Sequence, residues 1–396
     1  MRSGGPVRPP AWPLAGQDPC CVRRVLKPVL AALAVLASLP LTVGCQQSPR
    51  ARNVVLFIGD AGGIPTLNAA SLHWYRDPQA LFIQHMPHIA LMDTSAVDRW
   101  VTDSAAGMSA IVTGQKTDNG VISQSADAVR GKVDGAVLKT ILEHAEERGL
   151  STGVITNMGI ADATPAACYA HSNNRSNAGE IFAQLATPRF GDGPDVVVGA
   201  GRTAVLKATS AIGIDIDAAL RKQGYTLLDS PAALGADMSR VVALTDDGNY
   251  DPVPVVERAT SILSRNPRGF FLMVEWDLHT DSLRGGLERV LTMDRLVRGA
   301  AARAKDDTLV IFTADHSFDL RVRGGSRDEP LLKQSVRASA GGPARPVLQG
   351  NVRVDDGHTG EQVLVAAQGP GADRVHGFIR NTDLFRIMMA AYGWDE

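Results

Sequence analysis

A three-layer α/β sandwich, with a central, mostly parallel sheet flanked by helices, is the fold predicted by this chain of 396 residues. Three patterns carry the prediction. Several apolar runs are continuous, not alternating, as expected for strands covered on both faces. Segments with helical spacing lie between them. Three of the runs end in acidic residues or histidine, which would place those side chains on one edge of a parallel sheet.

The strand runs fall at residues 53–58, 153–156, 195–198, 270–274 and 309–313. Residues 136–148 carry apolar side chains at helical spacing and stop at Gly149, a natural helix end. Residues 288–305 and 383–391 read the same way, the second with Asn381 or Thr382 as N-cap. The less patterned stretch 172–266 is expected to include an insertion at the rim. No internal repeat is evident. One catalytic domain is therefore expected over residues 50–396.

Composition narrows the function classes. A hydrophobic content of 44% supports a large core, and the net charge of −2 comes without a basic stripe interleaved with aromatics. Nucleic acid is therefore not an expected partner. Residues 1–45 stand apart. Arg23, Arg24 and Lys27 precede an apolar run over 29–43 that ends at Gly44-Cys45. A basic start and a run too short to span a bilayer describe an export signal. The Gly44-Cys45 junction is similar to a bacterial lipobox, although Thr42 stands where Leu is usual, so lipidation at Cys45 and simple cleavage both stay open. The Arg-Arg pair reads as an ordinary charged segment before a twin-arginine signal. The expected location is periplasmic, lipid-anchored to the envelope, or secreted. Without residues 1–45 the chain has 35 basic and 41 acidic residues, a net charge of −6, and one cysteine, Cys168. No internal disulfide can then stabilise it.

The chemistry collects at the ends of strands. The run 53–58 leads into Gly59-Asp60, 270–274 into Glu275-Trp-Asp277-Leu-His279, and 309–313 into Ala314-Asp315-His316. A single carboxylate after a strand is usually structural. Three strand ends carrying acids and imidazoles together suit zinc, and a carboxylate–hydroxyl set suits magnesium. Ser104, in Thr102-Asp-Ser-Ala, sits where a loop enters a helix, so the helix dipole favours an anion there. The competing reading has Asp103 or Ser104 merely capping that helix. A serine hydroxyl becomes a nucleophile only when a base or metal lowers its pKa.

Five motifs in this order resemble the alkaline phosphatase family: Asp60 after a strand, Thr102-Asp-Ser104-Ala, Asp162-Ala-Thr-Pro-Ala-Ala167, Thr313-Ala-Asp-His316 and Gly357-His-Thr-Gly360. The resemblance implies metal-dependent phosphomonoester hydrolysis with two zinc ions and one magnesium ion. Asp60 would bridge the second zinc and the magnesium. Ser104 would form a phosphoserine and meet the second zinc with Asp315 and His316. Asp162, Thr164 and Glu275 would form the magnesium side, and His358 would bind the first zinc. Arg175, at the family's spacing after Thr164, would clamp phosphate; without that register it would read as a surface arginine. Many family members are dimers.

The pattern departs from the family at the first zinc, where Glu is usually followed by Asp five residues on and His four further. Here Glu275 is followed by Asp277, His279 and Asp281. The preferred reading is a shortened loop with Asp277 and His279 as ligands; Asp277 with Asp281 is the alternative. His73, His85, His88, His144, His171 and His376 have no motif context and are read as structural, as is Cys168. Trp276 would shape the pocket or pack. Rival functions are a phosphodiesterase, phosphonate hydrolase or sulfatase on the same fold, and a non-catalytic phosphate- or metal-binding lipoprotein.

Overall fold

In the computed structural model, residues 50–332 and 347–394 are described; the expected leader, residues 1–45, lies outside them. Ten strands form one sheet: β1 (Asn53–Asp60), β2 (His88–Asp93), β3 (Ser151–Gly159), β4 (Val196–Ala200), β5 (Thr226–Leu228), β6 (Val241–Leu244), β7 (Phe270–Asp277), β8 (Thr308–Thr313), and two late strands, Val363–Gln368 and Gly377–Arg380. Three further strands, β9 (Ser317–Val322), β10 (Val347–Gln349) and β11 (Val352–Thr359), make a small antiparallel sheet. The late strands are accordingly β12 and β13. The main order is β13-β2-β12-β8-β1-β7-β3-β4-β6-β5. Every pairing in it is parallel except those of β12 with β2 and β8.

Side-chain alternation explains why the central strands are apolar throughout. Val54, Leu56 and Ile58 of β1 enter one hydrophobic layer with Phe271, Met273, Leu309 and Ile311. Val55 and Phe57 enter the other with Leu272, Val274, Val310 and Phe312. The ten α-helices among the described residues divide accordingly: α1 (Ile64–Tyr75), α2 (Ser104–Thr113), α3 (Ile141–Glu147), α4 (Ala163–Tyr169), α5 (Ala178–Ala183), α6 (Arg202–Ala211), α7 (Ile216–Lys222), α8 (Pro252–Leu263), α9 (Leu283–Arg303) and α10 (Asn381–Tyr392). Helices α1, α8 and α9 cover the second layer, and the rest contribute to the first. This is the expected three-layer sandwich.

Four details differ from expectation. The region 172–266 supplies β4, β5 and β6, which extend the main sheet along one edge in parallel register. Strand β4 answers to the run expected at 195–198, whereas β5 and β6, of three and four residues, left little periodic signal. Helix α3 begins at Ile141, not near residue 136, because residues 136–138 pair with 123–125 and Thr140 closes a capping box with Glu143. Helix α9 starts at Leu283, five residues early, its first turn disguised by Gly285 and Gly286. At α10 the N-cap position is Arg380, whose amide donates to Asp383 (2.9 Å), so Asn381 and Thr382 lie inside the first turn. Cys168 is buried and free, as read from its apolar surroundings.

Glu146, at the end of α3, is buried and accepts a hydrogen bond from the Thr152 hydroxyl. Burial pushes its carboxyl up to about 9; Asp192 and Asp195 add to this, and the Thr152 bond opposes it. It is therefore protonated in the fold at pH values where the unfolded chain carries it ionised. Its stabilising contribution is complete below the ordinary glutamate value and is lost as pH rises toward about 9. Glu146→Gln keeps a neutral side chain and removes this slope. The unfolding free energy of the variant relative to the parent should climb between about pH 5 and 9, by at most about 1.4 kcal/mol per pH unit. Urea titrations at fixed metal content measure it; a constant difference would contradict the assignment.

Candidate active site

Because β8, β1 and β7 are adjacent and parallel, their C-terminal ends bring Asp315, Asp60 and Glu275 to one edge. Asp60 is opposite Asp277 in the register of β1 with β7. After Asp60 the chain turns through Ala61 in the left-handed region (φ 62°), and the Ala61 amide donates to Asp315 Oδ1 at 3.3 Å. The Asp60, Asp315, Glu275 and His316 side chains are all buried.

Helix α2 delivers Ser104. Asp103 is its N-cap, accepting from the Ala106 amide at 3.1 Å. Capping therefore falls to Asp103, and the Ser104 hydroxyl is left for chemistry, 3.2 Å from His316 Nε2. The helix lies close against the end of β8: a Cβ at Gly107 would sit 2.7 Å from the Asp315 carbonyl oxygen. Only glycine permits that approach.

Two groups of ligand atoms converge beside Ser104. His279, His316 and His358 form one, with ligating atoms within 4.8 Å of each other; Asp60, Asp315 and His316 form the other. The His316 and His358 rings stack at 3.6 Å between centroids. His358 Nδ1 donates to the Thr102 carbonyl at 3.1 Å, which turns Nε2 inward. Asp281 is exposed and joins neither group, whereas His279 does. Asp277 is also outside both groups: its Oδ1 accepts from the His279 amide (2.9 Å) and Nδ1 (2.8 Å).

Glu275 accepts a hydrogen bond from the Thr156 hydroxyl, and Thr164 is bonded to it as well. Asp162 is the N-cap of α4 and holds Arg175 at 2.7 Å. The other guanidinium arm reaches Asp103 Oδ2 at 3.2 Å. Arg175 is thus fixed between Asp103, the residue preceding Ser104, and Asp162, the carboxylate on the Glu275 side.

The electrostatics describe an anionic pocket in want of cations. Burial, followed by Asp315, Glu275, Asp277 and Asp162, raises the Asp60 carboxyl far above its usual range. Burial raises Glu275 to about 8, aided by Asp162 and Asp315 and opposed by Thr156 and Thr164. Burial lowers His316 to about 4, helped by His358 and His279 against the pull of Asp315, so it is a neutral ring with a free lone pair. For His279 burial works downward and is the largest single influence, but the bond to Asp277 and the negative charges of Asp277, Asp315 and Asp281 together outweigh it and raise the imidazole. Asp60 Oδ1 and Asp315 Oδ2 are buried without a hydrogen-bond partner. Orphaned carboxylate oxygens beside neutral imidazoles are the donor set of a divalent cation, and the residues fit it.

The sequence of the Alkaline phosphatase family matches residues 51–238 and 233–330. The chain belongs to that family. It is 31% identical to the streptomycin-6-phosphate phosphatase of Streptomyces griseus, over 87% of this chain and 91% of the relative. Identity to the alkaline phosphatase of Escherichia coli is 29%, over 87% and 86%. Among solved structures, the alkaline phosphatase of Thermus thermophilus matches with a TM-score of 0.73 at 21% identity, over 92% of this chain and 96% of that one. That from the Antarctic bacterium TAB5 matches at 0.70 and 23%, over 88% and 100%. These structural matches confirm the fold. Family membership makes the chain a metal-dependent phosphatase.

Sequence reasoning missed Asp103, Thr156 and Arg289 as working parts. Asp103 was visible only as a cap. Thr156 ends an apolar run without a motif, and Arg289, bonded to the Asp277 and His279 carbonyls, lies on an amphipathic helix like any surface arginine. Asp60→Asn tests the charge balance. In chelator-treated protein it should raise the melting temperature, by about 1–2 °C for roughly 1 kcal/mol of relieved repulsion in a domain of this length. With zinc restored the parent should gain more than the variant. Calorimetry with and without chelator measures both, and a variant less stable in both states would refute the balance.

Proposed function

We propose that this family member hydrolyses phosphate monoesters through a phosphoserine on Ser104, with two zinc ions and one magnesium ion resident. The observation that carries the reading is the placement of Ser104 Oγ. It lies 3.2 Å from His316 Nε2, at the junction of both ligand groups. His279 and His358 would hold the first zinc. Asp60, Asp315 and His316 would hold the second beside Ser104. Asp60, Thr164 and Glu275 would hold magnesium, with Asp162 acting through water. When bound, these metals lower the pKa of a hydroxyl or water and neutralise charge on the departing oxygen.

The chain's own residues supply the rest. Ser104 Oγ gives up its proton to solvent and bonds to phosphorus as the bond from phosphorus to the alcohol oxygen breaks; that oxygen leaves with the electron pair and takes a proton from solvent. Water then attacks phosphorus, the Oγ–phosphorus bond breaks, and inorganic phosphate departs. Asp103 and Asp162 hold Arg175 by two of its five N–H groups. The remaining donors can meet two phosphoryl oxygens as a fork. The dipole of α2 favours the same negative charge. Such a fork favours a monoester, which has oxygens to spare, over a diester. Residues 1–45 are read as an export signal, with Cys45 lipidated or removed.

Hydrolysis of p-nitrophenyl phosphate at pH 7–10 should vanish on chelation and return with zinc and magnesium. Persistent inactivity of folded, remetallated protein would refute the monoesterase reading. Ser104→Ala should lower kcat at least about 1000-fold. Arg175→Lys keeps the charge but loses the fork, and should reduce kcat/KM by about 10- to 100-fold while turnover of a diester changes little. Equal losses on both substrates would place Arg175 outside phosphate recognition.

A further inference from the structure

We propose that Asp277 and Arg289 form a bracket that presents His279 to the metal, so that Asp277 positions a ligand instead of serving as one. The inference rests on the metallophosphatase reading, because it concerns how this chain completes its first metal site across a shortened loop.

The geometry is specific. Asp277 Oδ1 accepts from both the backbone amide (2.9 Å) and ring Nδ1 (2.8 Å) of His279. Two donors occupy the lone pairs of that oxygen. The other oxygen, Oδ2, faces Arg289 Nη2 at 3.1 Å. Asp277 is therefore engaged through both oxygens and joins neither group of ligand atoms. With its proton on Nδ1 and donated to Asp277, the His279 ring presents Nε2 as the ligating atom. A carboxylate behind a ligating imidazole fixes its tautomer and orientation and strengthens its basicity.

Arg289 also holds the backbone on either side of Leu278. Its Nε donates to the Asp277 carbonyl at 2.6 Å and its Nη2 to the His279 carbonyl at 2.7 Å. The start of the segment is fixed independently. The Asp277 amide donates to Asn157 Oδ1 at 2.8 Å, and the Leu278 amide to the Asp60 carbonyl at 2.9 Å. Helix α9 comes close enough to deliver Arg289 because residue 286 is glycine: a Cβ there would lie 2.4 Å from the His279 carbonyl oxygen. A planar guanidinium can span two carbonyls and a carboxylate together; a lysine ammonium cannot.

Metal content separates the two roles of Asp277. The mature chain is saturated with zinc and magnesium, freed of excess by gel filtration, and analysed for bound metal. Affinity is measured by competition with a chromophoric zinc chelator. Asp277→Asn, whose amide oxygen can still accept from His279 Nδ1, should keep the parent's metal equivalents and bind the weakest zinc about 10- to 100-fold less tightly. His279→Ala should lose a whole equivalent. Arg289→Ala should match Asp277→Asn, and Arg289→Lys should recover only part of the affinity. Loss of a full equivalent by Asp277→Asn would make Asp277 a ligand and overturn the proposal. So would parent-like zinc affinity in Arg289→Ala, or in Arg289→Lys should the alanine variant fail to give a folded circular dichroism spectrum. A parent that retains no metal would instead overturn the metallophosphatase reading, and the bracket with it.

Discussion

Buried negative charge at the C-terminal edge of the sheet is the constraint on which the rest of the structure depends. Parallel strands lie about 4.8 Å apart and end on a common edge. Having β8, β1 and β7 adjacent therefore forces Asp315, Asp60 and Glu275 together. Each is removed from water, and burial with mutual repulsion holds Asp60 and Glu275 well above normal carboxylate behaviour. Such an arrangement is stable only with protons or cations among the acids. Neutral His316 at the centre, together with unpartnered oxygens on Asp60 and Asp315, favours metal over protons.

The placement of Ser104 follows from the same constraint. Helix α2 is buried along its whole length and meets the end of β8 through Gly107. A single residue, Asp103, both caps that helix and holds one arm of Arg175. The second arm is held by Asp162, which caps α4 and lies on the Glu275 side of the pocket. Displacing any one of these groups would move the others. The Ser104 hydroxyl, the Arg175 guanidinium and the acidic cluster are therefore placed by one connected network, and their relative positions are not set by loop flexibility.

Covering both faces of the sheet does more than fill a core. On one face, α9 packs apolar residues against β1, β7 and β8 and also reaches the site with Arg289. On the other, α2 and α4 begin at the sheet edge, so their N-termini and capping acids point toward the chemistry. The small β9–β10–β11 sheet returns His358 to within stacking distance of His316. Elements that stabilise the fold by burying apolar area thus also set the angles of the polar side chains they end in.

The sequence by itself determined the layered α/β class, because strands covered on both faces must be apolar at every position, and that pattern is local. It also exposed Asp60, Ser104, Glu275, Asp315 and His316, since side chains at the ends of apolar strands or helix starts have few neighbours to obscure them. What only tertiary structure decided depends on contacts between distant segments. Whether Asp103 or Ser104 capped α2 turned on local geometry that both residue types permit. His279 lies with His316 and His358 while Asp281 stays in solvent, because the exit from β7 is held by Asn157 and Arg289. The edge strands β5 and β6 gave weak periodicity because they are short and gain their order from pairing outward from β4. Thr156 and Arg289 have no sequence signature because their roles are defined by partners 119 residues away in one case and by a pair of backbone carbonyls in the other. Hydrogen bonds of that kind depend on where folded backbones come to lie, and residue type does not encode it.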